Sequence, residues 1–173
     1  MSSVLRTAVN SNDHFQGDLS APIVLLEYGD YQCPHCRNAF GIIKKIQSEF
    51  GPELTYVFRH FPLTEVHFYA RQAAIAVEAA GLQDKYWEMH DTIYENQEKL
   101  STSGLTSFAK KIGLDMSKFK SDLKSETIEK KVDDDFEGGV RSGVNFTPCF
   151  FINGVRFEGG AQDLYNSLQQ KKS

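Results

Sequence analysis

Ile23-Val24-Leu25-Leu26-Glu27-Tyr28-Gly29-Asp30-Tyr31-Gln32-Cys33-Pro34-His35-Cys36 holds a strand, a break and the start of a helix within fourteen residues. Ile23 to Tyr28 is a short, nearly continuous apolar run led in by Ala21-Pro22, the pattern of a strand buried on both faces of a parallel sheet. Gly29-Asp30 breaks the run, and from Pro34 the period changes. Phe40, Ile43, Ile46 and Phe50 recur at helical spacing, with Arg37, Lys44, Lys45 and Glu49 between them, until Gly51-Pro52. Leu54 to Phe58 reads as a second strand, stopping before Pro62. Strand, helix, strand is a βαβ unit, with a right-handed crossover expected.

Outward from this unit, strand signals vanish between Val66 and Ser142. Phe68 to Ala80 is rich in helix formers and ends at Gly81. Asp84 offers an N-cap for a helix bearing Tyr86, Trp87, His90, Ile93 and Tyr94. Leu105 to Ile112 predicts a short helix closed by Gly113, and Met116, Phe119 and Leu123 another. Ile128, Val132, Phe136 and Val140 recur every fourth residue in a last one, where Asp133-Asp134-Asp135 reads as a solvated face. Strand character returns from Phe146 to Ile152. Asn153-Gly154 then predicts a tight hairpin with Val155 to Glu158 returning antiparallel, before a final helix with Leu164 and Leu168. The class is α/β, with an all-helical block set into it.

Composition narrows the function. The 173 residues are 40% hydrophobic and 24% charged, enough for a real core. Nineteen Lys and Arg against 23 Asp and Glu give a net charge of −4, which leaves no cationic excess for nucleic acid. No apolar run approaches the roughly 20 residues of a membrane span. No signal-peptide pattern opens the sequence as written, so a cytoplasmic site is expected, or a periplasmic or other extracytoplasmic one if a signal has been removed.

Chemistry concentrates at Cys33-Pro34-His35-Cys36. A thiol at a helix N-terminus has free N–H groups and the positive end of the helix dipole beside it, both favouring a thiolate, and a neighbouring imidazole adds to them. Cys33, on the exposed end, is expected to attack, and Cys36, one turn in, to resolve. A zinc site is the competing reading. It needs four ligands, but Cys149 stands alone, and His14, His60, His67 and His90 show no ligand spacing. No metal and no cofactor is therefore expected. Glu27 interrupts the apolar strand run. Either it accepts a proton from Cys36, directly or through water, or it is a strand-end carboxylate reaching solvent. Pro148 opens an apolar strand, which marks an edge, a bulge or a cis turn, or simply a strand start.

These residues resemble the DsbA-like branch of the thioredoxin superfamily. The resemblance rests on the Cys33-Pro34-His35-Cys36 motif with the topology around it, on Asp13-His14 to Gly17, on Ala21-Pro22 and on Glu27 to Cys33. Thr147-Pro148 followed by Phe150 to Gly154 completes it. It implies a thioredoxin-like fold from residues 1–63 and 143–173, with an inserted all-helical domain at 64–142. It also implies exchange with protein thiol or disulfide substrates, and a redox partner that recycles the Cys33–Cys36 pair. His35 would tune Cys33, Glu27 would be the family's buried acid, and the peptide bond before Pro148 would be cis. The backbone of Thr147 would pair with an extended substrate segment. Cys149 departs from the family, which commonly carries Thr or Ser there. It is expected to be buried, since free cysteines pack as small apolar residues. A redox-sensing or partner-binding module without rapid turnover is the alternative function, and glutathione-dependent conjugation or isomerisation a weaker third, which would not need Cys36.

Overall fold

The computed structural model describes residues 3–172; Met1, Ser2 and Ser173, the outer ends of the expected thioredoxin-like domain, lie outside the described residues. Five strands form one sheet in the order β1-β3-β2-β4-β5. They are β1 (His14–Gln16), β2 (Ile23–Gly29), β3 (Leu54–His60), β4 (Cys149–Ile152) and β5 (Val155–Phe157). β2 and β3 run parallel, joined through α1 (Pro34–Phe50), and the other pairings are antiparallel. Asn153 and Gly154 both take positive φ, 48° and 80°, which closes the β4–β5 hairpin in two residues.

Between β3 and β4 the chain is helical: α2 (Ala70–Gly81), α3 (Tyr86–Glu95), α4 (Thr102–Lys111), α5 (Met116–Asp122) and α6 (Glu126–Arg141). α7 (Ala161–Lys172) follows the hairpin. The pleat sorts the core into two layers. Leu25, Phe58 and Phe150 face α1, α7 and the helices α2 to α5 in one continuous apolar cluster. Leu26, Tyr28, Val57, Cys149 and Phe151 face the other way, covered by Leu5, Val9 and Phe136. The N-terminal segment is held there by Arg59, whose Nε and Nη2 donate to the two carboxylate oxygens of Asp13 at 2.7 and 2.8 Å, with Nη1 and Nη2 reaching the carbonyls of Thr7 and Ala8.

Several local expectations shift. β1 was not anticipated, because its three residues form a strand only by pairing with β3. β3 runs on to His60, β4 begins only at Cys149, and α2 begins at Ala70. Asp84 does not cap α3: it sits at φ 57°, and Lys85 occupies the N-cap without a side-chain bond. Asp135 leaves the solvated face expected for the Asp133–Asp135 run; it is buried, accepting the His60 backbone N–H at 3.1 Å. α4 has a true cap, since Ser101 Oγ accepts the Gly104 N–H at 2.9 Å. Ser101→Ala should therefore lower stability by about 1 kcal/mol, read from chemical denaturation.

Candidate active site

Pro34 occupies the first turn of α1, where its missing N–H removes no helical bond, and Cys33 is the N-cap. The break expected from Gly29-Asp30 is tightly built. Asp30 is buried, and its Oδ1 accepts the backbone N–H groups of Gln32 and Cys33, at 2.8 and 3.2 Å. Its Oδ2 meets His67 Nδ1 at 2.8 Å and the Leu63 N–H at 2.9 Å, which ties this turn to the loop after β3. Gln97 Nε2 donates to the carbonyls of Tyr31 and Cys33, at 2.9 and 3.0 Å. A Cβ at Gly29 would collide with the Phe58 ring, so β2 can approach β3 only with glycine there.

Cys33 is not on an exposed end: it is 3% exposed and Cys36 is fully buried, although Pro34 and His35 between them are exposed. Cys33 Sγ lies 3.5 Å from the Thr147 carbonyl, and the Thr147–Pro148 peptide is cis. A hydrogen bond from Cys36 lowers the Cys33 pKa to about 5, against burial, with the N–H groups of the first helical turn contributing. Burial pushes Cys36 well above the ordinary thiol range, and its bond to Cys33 adds to the rise. Two thiols on one helical turn are thus split in opposite directions.

Glu27 is 2% exposed, so the solvent-reaching alternative is excluded. It lies on the strand face that Leu25 shares with the cysteine pair. Burial raises its pKa to about 8, although Tyr56 Oη donates to its Oε2 at 2.6 Å. Cys149 is buried in the other layer, and burial raises its thiol to about 11. His35, Asn38, Ile42, Phe146, Thr147 and Pro148 line one side and floor of a groove of about 610 Å³, completed by the start of α7. Asp30, Tyr56 and Gln97 were not singled out from sequence. Only Asp30 had a local signal there, an acid three residues before a helix cap.

Residues 9–168 match the family model described as Thioredoxin. The chain belongs to the thioredoxin family. Its structural neighbours share the thioredoxin-like fold. BdbD from Bacillus subtilis superposes with a TM-score of 0.83 at 23% identity, over 99% of this chain and 98% of that one. The thiol–disulfide exchange protein alpha-DsbA2 from Wolbachia pipientis gives 0.82 at 23% identity, over 94% and 86%. A thioredoxin-like oxidoreductase from Silicibacter pomeroyi gives 0.82 at 22%, over 94% of both chains. Curated sequence relatives carry a different name. The Na(+)/H(+) antiporter NhaA 1 of Mycolicibacterium vanbaalenii is 40% identical over 96% of this thioredoxin-family chain, but the chain spans only 28% of that protein. The counterpart in Salinispora arenicola is also 40% identical, over 85% of this chain and 22% of its own length. Among the described residues no helix is long and apolar enough to cross a membrane.

Proposed function

We propose that this chain is a thiol–disulfide oxidoreductase acting on protein thiols, with Cys33 as the exchanging sulfur and Cys36 as the resolving one. The observation that carries the reading is the position of Cys33: a helix N-cap facing the Thr147 carbonyl, with its pKa near 5 beside a thiol raised far above it. A low Cys33 pKa makes it a good leaving group and stabilises the reduced pair, which drives net oxidation of substrate.

In that direction a substrate thiolate attacks Cys33 Sγ of the disulfide, the S–S bond breaks, and Cys36 departs with the electron pair. Cys36 must take up a proton, and Glu27, still mostly protonated at neutral pH, is the acid on its face of the sheet. A second substrate thiolate then attacks the substrate sulfur of the mixed disulfide and releases Cys33 as thiolate. The substrate loses two electrons, the pair gains them, and a redox partner must remove them. In reverse, Glu27 accepts the Cys36 proton. The groove beside His35 and Phe146 suits an extended, partly apolar substrate segment, paired to the Thr147 backbone. His35 is the exposed imidazole at its lip.

Equilibration with glutathione, together with stopped-flow oxidation of a dithiol peptide, tests this. The expected potential lies toward about −120 mV rather than about −270 mV, and the oxidation runs far faster than with a free disulfide. A sensing module without turnover would oxidise the peptide only at the free-disulfide rate, and that result would overturn the proposal.

A further inference from the structure

Two histidines far apart in sequence converge on one carboxylate, on the opposite side of β3 from β2. His14 Nε2, on β1, lies 2.9 and 3.0 Å from the carboxylate oxygens of Glu78 on α2. His60 Nε2, at the end of β3, lies 2.8 Å from Glu78 Oε1. The His60 side chain is 1% exposed, that of Glu78 9% and that of His14 25%. Asp135 of α6 stands beside them: donor atoms of His60, Glu78 and Asp135 all lie within 4.8 Å of one another.

Hydrogen bonding alone leaves this cluster incomplete. To donate from Nε2 to Glu78, a neutral His60 must carry its proton there, which leaves Nδ1 a bare acceptor. That buried atom has no hydrogen-bond partner among the described residues. Asp135, whose Oδ2 accepts the His60 backbone N–H, is an acceptor as well and offers a bare Nδ1 nothing. A cation on Nε2 reverses this, moving the ring proton to Nδ1, where a carboxylate is the usual support of a metal-bound histidine.

We propose that His14 Nε2, His60 Nε2 and the Glu78 carboxylate bind a divalent late first-row transition cation such as Zn2+, with Asp135 backing His60. Two imidazoles and a carboxylate suit that class of ion. In tetrahedral zinc sites neighbouring ligand atoms stand about 3.3 Å apart, so each imidazole nitrogen, now 2.8 to 3.0 Å from the Glu78 carboxylate, need open from it by only a few tenths of an ångström. Burial opposes ionisation of Glu78, yet the bonds from His14 and His60 outweigh it and hold the carboxyl ionised. Glu78 and Asp135 against the Lys131 ammonium, 2.6 Å from Asp135 Oδ1, leave the cluster one negative charge. The bound ion would fasten β1, β3 and α2 to one another, as a structural site remote from thiol exchange.

Zn2+ titration by calorimetry and Co2+ absorption, both on protein with the Cys33–Cys36 disulfide closed, test this. Binding of one equivalent is expected, with a raised thermal midpoint and a Co2+ spectrum free of thiolate charge transfer. His14→Ala, at a partly exposed edge-strand position, should weaken binding at least about tenfold with an unchanged circular-dichroism spectrum. Glu78→Gln should do the same. Absence of saturable binding, undiminished affinity in His14→Ala, or a thiolate band from Cys149 would each overturn the proposal.

Discussion

Replacing Cys33 by serine is expected to abolish disulfide exchange, while Cys36→Ser is expected to accumulate mixed disulfides with substrate. The asymmetry follows from the two thiols. At a pKa of about 5, Cys33 is roughly 99% thiolate at pH 7, against about 3% for an ordinary cysteine near 8.5. Cys36 is protonated throughout the neutral range, so it waits for the exchange at Cys33 to expose it as leaving group or resolver. Serine at 33 removes the sulfur that, among the described residues, has both the charge and the Thr147 carbonyl before it. Non-reducing electrophoresis and mass spectrometry distinguish the variants. A Cys33→Ser protein that still oxidised dithiol peptides, or a Cys36→Ser protein that trapped none, would sink the assignment.

The second large effect concerns stability. Glu27 ionises near 4.5 when unfolded and at about 8 in the fold, because burial disfavours its charge. As pH rises, the unfolded chain therefore gives up this proton first. The contribution of the neutral carboxyl is intact below about pH 4.5, is lost progressively up to about pH 8, and is flat above, for a total of up to about 5 kcal/mol. Glu27→Gln keeps an acceptor for Tyr56 without the ionisation, and should remove that slope. Urea unfolding of the disulfide form at a series of pH values from 5 to 9 reads it without the Cys33 charge. Parallel pH profiles for wild type and Glu27→Gln would refute the buried-acid account. The same variant should slow substrate oxidation, since Cys36 would lose its proton donor.

What could be read from sequence was local. The β2–α1–β3 unit, the Asn153-Gly154 hairpin and the cysteine pair each announce themselves within a few residues, through period, turn chemistry or spacing. What escaped depends on partners distant in the chain. β1 carries one clear apolar residue, Phe15, and is a strand only because β3 offers it an edge. Asp135 sits in an acidic run that looks solvated, and its burial is decided by the His60 backbone. Glu27 could be flagged as a misfit on its strand, but Tyr56, which satisfies it, lies on the neighbouring one. His14 and His60 show no ligand spacing because their meeting point is a helix that comes later than both.

The pleat of β4 has a consequence for fidelity. Phe150 enters the layer that holds Cys33 and Cys36, while Cys149 and Phe151 enter the opposite one. A slip of one residue against β2 would exchange these faces and deliver a third thiol to a centre built for two. Here, strand register acts as an insulator: Asn153, whose Oδ1 accepts the Val24 N–H and whose Nδ2 donates to the Pro22 carbonyl, holds β4 in step with β2 and so decides which cysteines can meet.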